Sequence, residues 1–140
     1  MENNGVMSKL GCVCGHVISD ITDSLPYKAH FRLDVDEDTF YEKVMEGFRN
    51  FLQAIREDRR NEWLKEWCSE SGYEGYVRLN LSNEDVFHDF LSGLLISCER
   101  KIYQCTECGR IHIEREDNTF YSFQAEDGKV HLLFDKQRLE

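Results

Sequence analysis

The sequence has little proline and no long apolar run. It contains one proline in 140 residues, which argues against extended disordered linkers. No stretch approaches the roughly 20 apolar residues that a membrane-spanning helix needs, and the first ten residues lack the apolar segment of a secretory signal. The length is near that of one domain. We therefore predict a cytoplasmic protein folded as a single domain, residues 1–140.

Basic residues are also scarce. The chain has 17 lysines and arginines against 27 acidic residues, for a formal net charge of −10. Because nucleic-acid affinity depends on neutralising phosphates with cations, this balance argues against DNA or RNA binding. Strong acidity favours a basic protein partner, or it serves only to keep the protein in solution.

Familiar catalytic motifs are missing. The chain has no Gly-x-Ser-x-Gly, no phosphate-binding glycine loop and no His-Glu-x-x-His. Asp34, Asp36 and Asp38 have the spacing that opens a calcium loop, but Thr39 and Met45 stand where an EF-hand needs glycine and glutamate. We therefore predict a protein without catalytic residues and without calcium.

Four of the six cysteines form two pairs at opposite ends of the chain. Cys12-Val-Cys14-Gly15-His16 is the first, and Cys105-Thr-Glu-Cys108-Gly109-Arg110-Ile111-His112 is the second. In a reducing compartment paired thiols more often bind metal than form disulfides. The glycine after each pair allows a tight turn that directs both sulfurs toward one ion, as in zinc-ribbon knuckles. We predict one Zn²⁺ bound by Cys12, Cys14, Cys105 and Cys108.

The ligand set decides the chemistry of such a site. Four cysteines leave no coordination position open, so the zinc would be structural. His16 and His112 are alternative ligands, and a histidine-bound or open site would favour a zinc-dependent hydrolase. A thiol redox protein is a further alternative, although it needs a thiolate of low pKa. Cys98 lies on the apolar face of a predicted helix and is expected to be a buried hydrophobic residue.

Hydrophobic periodicity predicts an α+β fold. Helical spacing of apolar residues indicates helices over about 38–57, 61–69 and 83–100, with a break at 71–76 and a brief extended segment at 77–81. Ser82 and Asp85 resemble a capping box for the last helix. Alternation and turn residues predict strands over 17–22, 27–33, 101–104, 110–115, 119–124 and 129–134. The result is a zinc-ribbon-like β part, about 10–35 and 100–135, with an insertion of two to three helices at about 37–99.

Four segments resemble a set of small, mostly uncharacterised bacterial proteins. They are Cys12-Val-Cys14-Gly15, Ile18-x-Asp20-x-Thr22-Asp23, Leu25-Pro26-Tyr27-Lys28-Ala29 and Cys105-x-x-Cys108-Gly109-Arg110-Ile111-His112. The resemblance covers both ends of the chain and hardly touches the helical insertion. It implies a metal site in a zinc-ribbon-like protein and does not imply an activity.

Two groups of acidic residues are the candidate partner surface. We expect them to attract a basic protein, in one version a toxin such as a nuclease that this chain inhibits as an immunity protein. The groups consist of Asp34, Asp36, Glu37 and Asp38 before the first helix, and Glu84, Asp85 and Asp89 in the last helix.

Overall fold

The structure is a computed structural model that describes residues 9–68 and 70–134. Within these residues the chain forms four α-helices and six strands in two antiparallel sheets. The predicted α+β class is confirmed. The chain divides into a β unit, residues 1–31 with 100–140, and a helical unit, residues 32–99. This division falls close to the predicted limits of the helical insertion, and folding as a single domain stays a prediction.

The β unit contains a hairpin and a four-stranded sheet. Strands β1 and β2 pair in the hairpin, and the sheet has the order β3-β4-β5-β6 with every pair antiparallel. The strands are β1 (Lys9–Gly11), β2 (Val17–Ser19), β3 (Lys28–Phe31), β4 (Arg100–Gln104), β5 (Ile111–Glu114) and β6 (Phe120–Phe123). Since β3 precedes the helical unit and β4 follows it, the β3–β4 ladder holds the two ends of that unit beside each other, with Phe31 opposite Arg100.

The core of the β unit lies between the hairpin and one face of the sheet. Ile18 from β2 and Tyr103 from β4 are buried there together with Cys12 and Cys105. The Tyr103 ring packs on Phe120, with ring centroids 5.7 Å apart. The cysteine loops therefore extend from the elements that build this core.

Two strand assignments differ from the sequence prediction. Strand β1 was not predicted, and the predicted strand at 129–134 has no strand structure. The backbone there bonds to a side chain instead of to a neighbouring strand. The buried Gln104 amide donates to the carbonyl of His131 and accepts from the amide of Leu133. A segment anchored in this way lies beside Gln104 without extending the strand ladder.

The helical unit contains α1 (Glu37–Arg56), α2 (Arg60–Trp67), α3 (Glu70–Leu79) and α4 (Asn83–Cys98), preceded by a 3-10 turn at Asp34–Asp36. Its core is formed by Phe51, Leu64 and Val86, with partly buried aromatic residues around them. Helices α1 and α4 are antiparallel. Phe51, in the second half of α1, stacks on Phe87, in the first half of α4, while Phe40, near the start of α1, and Cys98, at the end of α4, line a small cavity.

Helix α3 corrects the prediction for residues 71–81. The expected break and extended segment are wrong, because Glu70–Leu79 is helical, and the unit has one helix more than the predicted maximum. Tyr73 and Tyr76 pack on the core cluster. This burial outweighs the cost of glycine in a helix interior, which is about 1 kcal/mol for each residue. Cys98, expected to be buried, is half-buried.

A helix that crosses a bilayer must be both long and apolar. None of the helices in residues 9–68 and 70–134 meets both conditions.

Candidate metal centre

The first cysteine pair lies in the loop of the β1–β2 hairpin. The Cys12 amide donates to the carbonyl of His16, and the Gly15 amide donates to the carbonyl of Cys12, both at 2.9 Å. Gly15 has a φ of +98°, a conformation that costs a residue with a Cβ atom considerably more than glycine. The loop can therefore close tightly behind the two thiols because of this glycine.

The second pair lies between β4 and β5 in a loop built the same way. The Cys105 amide donates to the carbonyl of Arg110 at 2.9 Å, and the Gly109 amide donates to the carbonyl of Cys105 at 2.8 Å. Gly109 has a φ of +78°, and a Cβ atom on it would lie 3.2 Å from the Cα of Val130. Both conformation and space thus favour glycine here.

The two loops bring together the four predicted cysteine ligands. The sulfur atoms of Cys12, Cys14, Cys105 and Cys108 all lie within 4.8 Å of one another. The Cys12–Cys108 and Cys14–Cys105 sulfurs are 3.5 and 3.6 Å apart, too far for a disulfide bond of about 2.05 Å. A tetrahedral ion with bonds of about 2.3 Å to sulfur needs sulfurs about 3.8 Å apart. The cluster therefore fits one metal ion of that geometry.

The four thiols differ in how readily they ionise. Burial raises the pKa of Cys12 to about 12 and also raises the pKa of Cys105. Burial acts in the same direction on Cys108, but hydrogen bonds from the amide and guanidinium of Arg110 outweigh it and lower the Cys108 pKa to about 6. Arg110 thus places a positive charge beside the cluster, where it would partly balance several thiolates around a divalent ion.

The two candidate histidines lie outside this group of four sulfurs. His16 is half-buried and takes part in its loop through its backbone carbonyl. His112 is buried in β5, and its Nδ1 lies 2.6 Å from the hydroxyl of Ser122. Burial, together with the charge of Arg110, lowers the His112 pKa. That His16 or His112 serves as an alternative metal ligand therefore stays a prediction.

Sequence reasoning missed a buried polar network beside the metal centre. The carboxylate of Asp20 is almost fully buried and accepts hydrogen bonds from the Lys28 ammonium, at 2.7 Å, and from the Tyr103 hydroxyl. These three side chains connect the end of β2 with β3 and β4. The signal in the sequence was that Asp20 shares a strand face with Ile18, two residues before it, which indicates a buried position.

The two acidic groups are far apart within the helical unit. The group at Asp34–Asp38 spans the 3-10 turn and the first turn of α1, beside the carboxyl end of α4, while Glu84 and Asp85 are in the first turn of α4. The 13 residues from Glu84 to Ser97 span about 20 Å of helix. Some of these carboxylates already have partners: Glu37 binds Arg32, Asp85 accepts from Ser82, and Asp89 accepts from Tyr76. They form two separate acidic surfaces.

Comparison with known proteins gives a family for the chain. The profile of a domain of unknown function, DUF8617, matches residues 8–127, which is more than half of the sequence. The chain belongs to the DUF8617 family. This match spans both cysteine pairs and the helical unit between them. No curated protein and no solved structure matches the DUF8617 chain.

Proposed function

We propose that the four cysteines bind one structural Zn²⁺ and that the protein is a non-enzymatic binding module stabilised by this ion. The proposal rests on the four sulfurs lying within 4.8 Å of one another. Zinc favours four thiolates in tetrahedral geometry, and such a site leaves no position for a reacting water. Two glycine-closed loops and the guanidinium of Arg110 support the same assignment.

Metal analysis of the purified protein tests this assignment. We expect one zinc per chain in the wild type and loss of most of it in Cys12→Ser or Cys105→Ser, because each substitution removes one of four ligands. Cys68→Ser and Cys98→Ser are matched controls, since both cysteines lie in the helical unit. Wild-type protein without zinc, or ligand variants with full zinc content, would contradict the proposal.

We further propose that the helical unit binds a basic protein. Residues 32–99 hold 16 of the 27 acidic residues but only 8 of the 17 basic ones, so this unit carries most of the net charge. Asp34, Asp36, Asp38 and Glu84 are exposed. Such a field speeds association with a positively charged surface and favours that partner over others. In the specific version, the partner is a basic toxin that this chain inhibits as an immunity protein.

The salt dependence of association tests the partner proposal. The association rate of a basic protein captured by affinity purification would be measured with wild type and with two variants. One variant combines Asp34→Asn, Asp36→Asn and Asp38→Asn, and the other combines Glu84→Gln and Asp85→Asn. We expect at least one to associate several-fold more slowly at low salt, and the difference to shrink near 0.5 M salt, where the Debye length is only about 4 Å. Stability should change little because the charges are exposed.

A triple variant of the β unit provides the control. Asp23, Glu107 and Glu126 are also exposed acids, and replacing them removes a similar charge from the other unit. A wild-type association rate that is the same at low and high salt would contradict steering by charge. Equal slowing by the control variant would contradict the assignment to the helical unit.

A thiol redox protein is the second candidate function. The observation that favours it is the Cys108 pKa of about 6, since a thiolate at neutral pH can attack a disulfide. Zinc would occupy the same thiolate, so the two functions exclude each other at this site. A metal-free purified protein with a readily formed Cys12–Cys108 disulfide would favour the redox function.

A zinc-dependent hydrolase would require a non-cysteine ligand or an open coordination position at the zinc.

A further inference from the structure

The helical unit contains a groove of about 470 Å³ between α1, α2 and α4. This volume is within the range of sites that take a small molecule or a large side chain. One side is a stripe of α1 that includes Glu46, Gly47 and Asn50, and the other sides come from α2 and α4. The metal centre and the two acidic surfaces do not contribute residues to the groove.

Aromatic rings form one wall of this groove. Trp63 and Trp67, one turn apart on α2, have ring centroids 5.4 Å apart, and both meet Phe90 of α4 nearly edge-on, at 5.5 and 5.7 Å. Phe90 can approach α1 only because Gly47 has no side chain: a Cβ atom there would lie 2.2 Å from the ring. These contacts fix the wall in place before a ligand arrives.

Carboxylates lie next to the aromatic wall. Glu62 and Glu66 form a second ridge of α2, each one residue before a tryptophan, and Glu46 lines the groove from α1. Like charges four residues apart on a helix repel each other. Among the described residues, no hydrogen bond is donated to the carboxylate of Glu46 or Glu66.

Two cations, Arg59 and Lys43, also line the groove and balance part of the negative charge of its three carboxylates. Arg59 donates to Glu57 through Nε, at 2.7 Å, and through Nη2. It also lies 3.9 Å from Glu62 and interacts electrostatically with Glu66. Lys43 is exposed on α1, one turn before Gly47. The lining therefore combines aromatic rings with carboxylates that lack a hydrogen-bond donor.

We propose that this groove binds an arginine side chain of the basic partner. A planar guanidinium can stack on an indole ring and donate paired hydrogen bonds to a carboxylate, and the groove offers both groups side by side. The inference rests on the proposed function, because it adds the contact by which a basic protein is recognised. Steering would come from the two acidic surfaces, and the groove would supply the anchoring contact.

Tryptophan fluorescence provides a direct test, because Trp63 and Trp67 are the only two tryptophans in the chain and both line the groove. An acetylated, amidated oligoarginine peptide would be titrated into the zinc-loaded protein. An oligoglutamate peptide of opposite charge would be the control. We expect saturable fluorescence changes with oligoarginine alone, and shifts of both indole N–H signals by NMR.

Glu46→Gln and Glu66→Gln preserve side-chain size and remove the charges proposed to contact the guanidinium. We expect each to weaken oligoarginine binding about three- to ten-fold. Glu42→Gln is the matched control, since Glu42 is exposed on α1 outside the groove, and its affinity should stay near that of wild type. Folding would be checked in each variant by its melting temperature.

Equal weakening by Glu42→Gln, or binding that leaves the indole signals unchanged, would overturn the groove assignment. Either result would show that oligoarginine is attracted to the acidic surface of the protein in general, and the proposal of a basic partner would still stand. Conversely, groove binding of oligoarginine together with a partner association rate insensitive to salt would contradict the steering proposal and leave the groove in place. The two proposals can therefore fail separately.

Discussion

Among single residues, Asp20 keeps its charge in an almost buried position. Burial alone would raise its pKa, but hydrogen bonds from Lys28 and Tyr103 and the charges of Lys28 and Lys101 outweigh this and lower it. Burial is the main cause that raises the pKa of Tyr103, and the hydrogen bond with Asp20 raises it further. The Asp20 carboxylate thereby connects three strands beside the metal centre.

Replacing Asp20 by asparagine should destabilise the protein in a pH-dependent way. We expect a loss of about 1–3 kcal/mol near pH 7, because hydrogen bonds to a charged group are removed. Since the folded pKa is lowered, the stabilisation is fully present above the unfolded pKa of about 3.9 and is lost as the pH falls through the folded value. Urea unfolding of wild type and Asp20→Asn should therefore give curves that converge in acid.

Asp23→Asn provides the comparison for Asp20. Asp23 lies three residues away and is exposed, so its replacement should change the free energy of unfolding by less than about 0.5 kcal/mol. If the difference between wild type and Asp20→Asn were the same near pH 3 and at pH 7, the charge of Asp20 would have no special role.

Residue-level prediction worked where chemistry and spacing coincide. The four cysteines could be grouped from sequence because two thiols and a following glycine define a local turn, and the structure places their sulfurs together. Asp20, Lys28 and Tyr103 could not be grouped that way. Their contact depends on how β2, β3 and β4 are arranged, with Lys28 opposite Tyr103 in the sheet, and local sequence does not encode that arrangement.

Among the elements, α4 has the clearest beginning in the sequence. Ser82 accepts a hydrogen bond from the Asp85 amide at 3.1 Å, and its hydroxyl donates to the Asp85 carboxylate at 2.8 Å. The predicted cap is confirmed in its main contact. This cap satisfies one of the free amides in the first turn, and the acids there complement the helix dipole.

Ser82→Ala should therefore destabilise the helical unit by about 1 kcal/mol. Ser97→Ala is a suitable control, because Ser97 is exposed in the last turn of α4 and its hydroxyl donates only to the Leu94 carbonyl. Thermal unfolding followed by circular dichroism would compare the two variants. A loss of stability in Ser97→Ala as large as that in Ser82→Ala would show that the cap has no particular importance.

Element prediction located most helices and strands to within a few residues and failed for β1, α3 and the segment 129–134. Helix α1 begins and ends within about one residue of its predicted limits because its apolar stripe spans several turns. Helix α3 was missed because two glycines suggested a break, whereas tyrosine packing decides its structure. The segment 129–134 alternates like a strand, but its backbone is bonded by the side chain of Gln104. Contacts distant in sequence decided both cases.

For the whole molecule, removing one metal ligand should affect stability far from the substituted residue. Cys14 and Cys105 are 91 residues apart in sequence, and a structural metal couples its binding directly to folding. We expect Cys105→Ser, or a strong chelator, to lower the melting temperature of the whole chain in one transition.

Hydrogen exchange measured by mass spectrometry would locate the effect. Amides of all strands of the β unit should lose protection in Cys105→Ser, while Cys98→Ser should keep it. Loss of protection confined to the 105–110 loop, or an unchanged melting temperature, would argue against a metal that stabilises the domain.

The distance in sequence between the two cysteine pairs also determines an order of events during synthesis. At about 5–20 residues per second, the ribosome needs roughly 5–20 s to proceed from Cys14 to Cys105. All of the helical unit is made in that interval, so it can fold while the first pair of thiols is still without its partners. In the nascent chain Cys12 and Cys14 therefore depend on the reducing power of their surroundings to remain competent for metal binding. An oxidising compartment would endanger this protein most before Cys108 is made.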